Sequence, residues 1–112
     1  MRRAALLMAL ALPWGAPPAA SPGPVEQGRA LAFARDKGNC LACHAIAGGT
    51  RPGNVGPPLE GMRERYPDRA ALRAQIADAT RNNPDSIMPP FGRHEILTPE
   101  EIDLVTDFIH SL

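Results

Sequence analysis

Residues 38–44 read Gly38-Asn39-Cys40-Leu41-Ala42-Cys43-His44, and they contain both cysteines of the 112-residue chain. Gly-Asn interrupts any helix that precedes it. Two thiols then follow two residues apart, with a histidine directly after the second. Thiols at this spacing can add across the two vinyl groups of one porphyrin, giving a pair of thioethers, and the adjoining imidazole is then held under the iron. The motif predicts one covalent haem c, attached through Cys40 and Cys43, with His44 as the proximal iron ligand.

Three other uses of the same residues are weaker. A Cys40–Cys43 disulfide suits an oxidising compartment but closes a very short loop and leaves His44 without a role. A thioredoxin-like pair needs a βαβ context, and no strand pattern is present. A zinc site needs a fourth ligand, for which His94 and His110 are the available imidazoles.

Working outward, the size of the core supports the haem. From Ser21 to Leu112 only 22 of 92 residues are Val, Ile, Leu, Met, Phe or Tyr, and four of these are aromatic. A domain this small is marginal without a staple or added apolar volume, and a macrocycle supplies both.

The first twenty residues stand apart. Arg2 and Arg3 precede an apolar run, Ala4 to Leu12, which Pro13 ends before small residues reach Ala19-Ala20. This is the layout of a secretory signal peptide, too short in its apolar part to span a bilayer. The expected organisation is a signal peptide over 1–20, a flexible leader over 21–24 and one domain over 25–112. Removing 1–20 takes two of the 12 basic residues and no acid, leaving 10 against 12. Neither a nucleic-acid binder nor a polybasic anchor fits that balance.

Within the domain the pattern is all-α. A first helix is expected from Val25 to about Asp36, with Gly28 and Ala32 leaving a shallow groove for a crossing helix. Ala47 to Pro58 is a Gly- and Pro-rich loop. A second helix follows an Asp68 N-cap from Arg69 to about Asn82. The last is marked most clearly. Thr98-Pro99-Glu100-Glu101 forms a capping box, and Ile102, Val105, Phe108, Ile109 and Leu112 make one apolar stripe.

The far face of the iron needs a donor or stays open. Met62, Met88, His94 and His110 are the candidates. A thioether is a soft ligand that favours reduced iron and does not titrate as an imidazole does. Met88 is the expected choice, on a loop stiffened by Pro89-Pro90. Met62 is the main alternative. His94 is expected to face solvent or a partner, and His110 to stabilise the carbonyl end of its own helix. The Pro57 carbonyl, a dozen residues past His44, is the candidate acceptor for the second ring N–H of that histidine.

The order of these features resembles the class I cytochromes c: the attachment site, Gly56-Pro57-Pro58-Leu59-Glu60-Gly61, and a methionine loop before the last helix. The resemblance implies three main helices and loops wrapped around one haem, and it supports the role of Pro57. Tyr66-Pro67-Asp68-Arg69 and Ile87-Met88-Pro89-Pro90-Phe91-Gly92-Arg93-His94 resemble more narrowly the SoxX family, the small mono-haem subunits of SoxAX sulfur-oxidation cytochromes. One departure is Ala32, where many class I cytochromes carry an aromatic.

What the resemblance implies is an electron-relay subunit in the periplasm. Its partners would be a SoxA-like di- or mono-haem cytochrome subunit, a SoxYZ-like carrier protein reached through the complex, and a downstream cytochrome c. The complex would attach thiosulfate oxidatively to a carrier cysteine, as an L-cysteine S-thiosulfotransferase. This chain would hold no catalytic residue, since both thiols are consumed by the haem, and no membrane insertion is expected after cleavage. A free-standing electron shuttle, and a peroxidase-like enzyme with an open sixth site, are the alternatives.

Overall fold

Pro24 opens the first helix because its missing N–H falls where a helix has no use for one. The computed structural model describes Met1 and residues 9–112, and residues 9–23 form neither helix nor strand. Arg2, Arg3 and the start of the apolar run of the expected signal peptide lie outside the described residues. Helix α1 spans Pro24–Phe33, starting one residue earlier and stopping sooner than its periodicity predicts. It stops because the chain folds back on its last turn. The N–H of Gly38 donates to Leu31 O at 3.0 Å and that of Asn39 to Ala34 O at 3.0 Å. Gly38 fits tightly there: a β-carbon would lie 3.0 Å from Leu31 O and 3.2 Å from Cys40 Sγ.

Helix α2, Met62–Arg65, is a single turn without an apolar period to announce it. Helix α3 spans Arg69–Ala77 behind the expected Asp68 cap, whose carboxylate accepts the Ala70 N–H at 3.0 Å. The pattern extends it to Asn82, but the backbone of Asp78 turns extended, and a separate 3-10 turn follows over Ala79–Arg81. The cause is the Asp78 side chain, which caps that turn by accepting the Thr80 N–H at 3.1 Å. Helix α4, Pro99–His110, carries the full capping box of Thr98 and Glu101. Among the described residues there is no strand, so the fold is all-α.

The α1–α4 crossing organises the domain. Gly28 and Ala32 are buried on α1, and a β-carbon on Gly28 would sit 1.9 Å from Leu104 O. The groove anticipated from these small residues is therefore where α4 lies. Phe33 supplies the aromatic absent at position 32: its ring meets Phe108 edge to face at 5.8 Å, with the Arg29 guanidinium 5.0 Å from its centroid.

On the other side, Arg69 bonds Asp107 and Arg73 bonds Asp103, both at 2.7 Å, joining α3 to α4. Lys37 Nζ reaches the capping Glu101 at 3.0 Å and ties the turn before the cysteines to the start of α4. The end of α4 docks on α2. Met62 N–H donates to Leu112 O at 2.9 Å, and His110 Nε2–H donates to Tyr66 O at 2.9 Å. His110 lies in the last turn of α4, as expected, and its ring also binds a neighbouring element. Its ring reaches back across the helix pair because Tyr66 ends α2 with a free carbonyl.

Candidate functional site

The core these helices form is not filled by side chains alone. A cavity of about 690 Å³ opens between the cysteine turn, the Gly56-Pro57 loop, α3, the Met88 loop and α4. Its walls include buried Leu72, Ile76, Phe91, Leu97, Val105 and Ile109. A space of this size in so small a domain is in the range of a bound organic cofactor, and its lining is mostly apolar.

Cys40 to Ala42 make one 3-10 turn, entered through Asn39 in the left-handed conformation at φ 48°. Asparagine tolerates that geometry better than other side-chain-bearing residues. The turn places Cys40, Cys43 and His44 together on the cavity wall, with the two thiols not bonded to each other. Burial, the dominant effect, pushes the Cys40 thiol up to about 11, so it stays protonated and is no poised nucleophile.

His44 is held from two sides. Its Nδ1–H donates to the Pro57 carbonyl at 2.6 Å, which fixes the tautomer, since a carbonyl can only accept. The Nε2 lone pair is left for another partner. The ring lies against Gly56, where a β-carbon would fall 2.3 Å from Cε1 and 2.8 Å from Nε2. The glycine at 56, beside the prolines that drew attention in the sequence, is what lets the ring occupy this position.

Both methionine candidates reach the cavity wall. They differ in surroundings. Met62 is only 1% exposed, and its sulfur accepts a hydrogen bond from the Arg65 guanidinium at 3.2 Å, while the same nitrogen donates to Pro58 O at 2.8 Å. Met88 is half-buried, its N–H donating to Ser86 Oγ at 3.3 Å, and among the described residues no hydrogen bond engages its sulfur. His94 is exposed, as expected, and His110 is engaged with Tyr66. Neither lines the cavity.

The residues present fit a covalently attached haem: two thiols at the vinyl spacing, an imidazole with Nε2 free, an unengaged thioether and apolar walls. A metal ion bound by side chains alone does not fit. Among the described residues no group of three His, Cys, Asp or Glu is arranged to hold one. The single turn of α2 was invisible to periodicity, and Arg65 with it; the only cue was the Gly61 that caps it at φ 58°.

Residues 23–109 match the family model described as cytochrome c oxidase, cbb3-type, subunit III. The chain is 39% identical over 78 residues to an uncharacterized lipoprotein of Aquifex aeolicus (strain VF5). That match covers 67% of this chain and 37% of the relative, so the chain spans little more than a third of the curated relative's length. Among solved structures it is similar to a chain of SoxXA from P. pantotrophus. The TM-score is 0.71 at 28% identity, covering 81% of this chain and 82% of that one.

Proposed function

This chain belongs to the cytochrome c family of cbb3-type oxidase subunit III, and from that premise we propose that it is the mono-haem electron-relay subunit of a SoxXA-type complex. When bound, the haem supplies a reversible one-electron store. Cys40 and Cys43 would hold it covalently, and His44 and Met88 would ligate its iron. The Pro57 carbonyl keeps the His44 ring in one orientation and presents Nε2 to the cavity. Met62, whose sulfur is engaged by Arg65, serves as core.

The observation that carries this reading is the convergence of Cys40, Cys43, His44 and Met88 on one apolar cavity. With His44 and Met88 both given to the iron no position would remain on it for substrate, and no thiol would remain to act as nucleophile. The chain therefore relays electrons, while bond formation falls to a SoxA-like haem subunit acting on a cysteine of a SoxYZ-like carrier. Joining thiosulfate to a thiol releases two electrons per S–S bond. A one-electron relay must then be emptied twice per turnover, into a downstream cytochrome c, or share the load with its partner.

Two features support a protein partner in the periplasm. Val55 and Ile87 line the cavity yet are 63% and 78% exposed, which leaves an apolar lip at its opening. The leader of residues 1–20 has the composition of an export signal. No helix of the described residues is long and apolar enough to cross a membrane. Size-exclusion chromatography of native periplasm with haem staining tests the assignment. Co-elution with a larger haem protein is expected; elution as a monomer in every preparation would favour a free shuttle.

A further inference from the structure

The loop that carries Met88 is held to the fold in an economical way. Its first half is bonded only to itself and to Asn83 just before it: Ser86 N–H to Asn83 O at 2.9 Å, Asp85 N–H to Asn83 Oδ1 at 3.1 Å, and Met88 N–H to Ser86 Oγ, while Asn83 N–H donates back to Ala79 O at 3.1 Å. From residues 84–97, the polar links to the helices are two, and both reach the C-terminal end of α3. Gly92 N–H donates to Ala77 O at 2.9 Å, and the Arg93 guanidinium faces the Asp78 carboxylate at 3.7 Å.

Asp78 has a second task. Its other oxygen accepts the Thr80 N–H and the Thr80 hydroxyl, which shapes the turn Ala79–Arg81 that leads into the loop. One carboxylate, 12% exposed, thus grips the chain where the loop leaves α3 and again where it returns. Both oxygens are used, one at each end.

We propose that Asp78 is the positioning residue for Met88, closing the methionine loop at entry and exit so that the sulfur stays on the cavity wall. This rests on Met88 being the second axial ligand. The competing explanation is that Phe91, buried in the core, and the Gly92–Ala77 bond hold the loop without help.

The two are separated with the oxidised holoprotein and added imidazole as probe. The measured quantity is the limiting rate at which the far-red sulfur-to-iron absorbance disappears, a rate set by departure of the methionine. Asp78→Asn keeps an acceptor for Thr80 and removes the charge facing Arg93; Arg93→Gln cuts the same link from the other side. Each is expected to raise the rate about three-fold, and the double variant no further, because a single link is cut. Asp78→Ala loses the turn as well and is expected to raise it about ten-fold. Ala70→Gly, an exposed change at the far end of α3, lowers stability and should leave the rate unchanged.

Unaltered rates in Asp78→Asn and Arg93→Gln, with the absorbance intact, overturn the role of Asp78 while Met88 stands. A wild-type protein without the absorbance, or its persistence in Met88→Ala, overturns both. Arg93 is 57% exposed and outside the core, so its variant decides the matter if those at Asp78 do not accumulate.

Discussion

Gly28→Ala adds one methyl group, and helix propensity alone says it should stabilise α1 by roughly 0.5–1 kcal/mol. The structure says the reverse. The new carbon would stand 1.9 Å from Leu104 O, 2.6 Å from Leu104 C and 2.9 Å from Phe108 Cβ. An unstrained carbon-to-oxygen approach is about 3.3 Å or more. The first two obstacles are backbone, so no rotamer change relieves them, and α1 must move off α4 by about 1.4 Å. A gap of that size forfeits about half or more of the dispersion contact along the seam, where Ala32, Val105 and Phe108 are buried. Overpacking of this kind costs about 1–3 kcal/mol, and rigid obstacles place it at the upper end. After subtracting the propensity gain, a net loss of about 2 kcal/mol remains, or a fall in Tm of about 8–16 °C for a domain of this size. Thermal melts of the holoprotein by far-UV circular dichroism read this directly, with Ala30→Gly, exposed on the same helix, as the propensity control at about 1 kcal/mol. A Gly28→Ala protein melting at or above the wild type would refute the crossing geometry.

The site offers sharper tests. Gly56→Ala should drive the His44 ring from its place and break the bond to Pro57, seen as a partly high-spin oxidised spectrum or poor haem incorporation; a wild-type spectrum would contradict the packing of the ring on Gly56. Met88→Ala should abolish the sulfur-to-iron absorbance, whereas Met62→Ala should keep it and instead cost about 2–5 kcal/mol as a core deletion. The Glu101 carboxyl is held below its usual range, chiefly by the hydrogen bond from Lys37, with burial opposing. Its contribution is therefore complete above the unfolded value of roughly 4.3 and is lost as pH falls through the folded one. Urea melts of Lys37→Met should accordingly lose less stability than the wild type between about pH 5 and pH 3, and parallel curves would count against this pairing.

Much of the site was legible because chemistry imposes spacing. Cys40, Cys43 and His44 must be adjacent to serve one macrocycle, and the capping box at Thr98 is a local bargain between side chain and backbone that needs no tertiary information. The groove at Gly28 and Ala32 was readable from side-chain size. Helix ends were less so. Asp78 looks like any helical residue until its carboxylate is seen gripping Thr80, and the stop of α1 depends on Gly38 finding Leu31 behind it. The place of His110 in the last turn of α4 is legible, but its bond to Tyr66 is not, because the sequence does not reveal that Tyr66 ends a neighbouring turn. Arg65 was hidden for the same reason: a one-turn helix has no period, yet it brings a guanidinium onto the sulfur of Met62, the alternative to the expected Met88.

A single iron porphyrin bonded to Cys40 and Cys43 would complete the core and carry the charge, and intact mass spectrometry of the purified mature protein under denaturing, acidic conditions detects that bond. The expected mass is that of the processed polypeptide plus one haem, with Cys40→Ala/Cys43→Ala giving little folded product. A colourless protein with the mass of the bare polypeptide would contradict it.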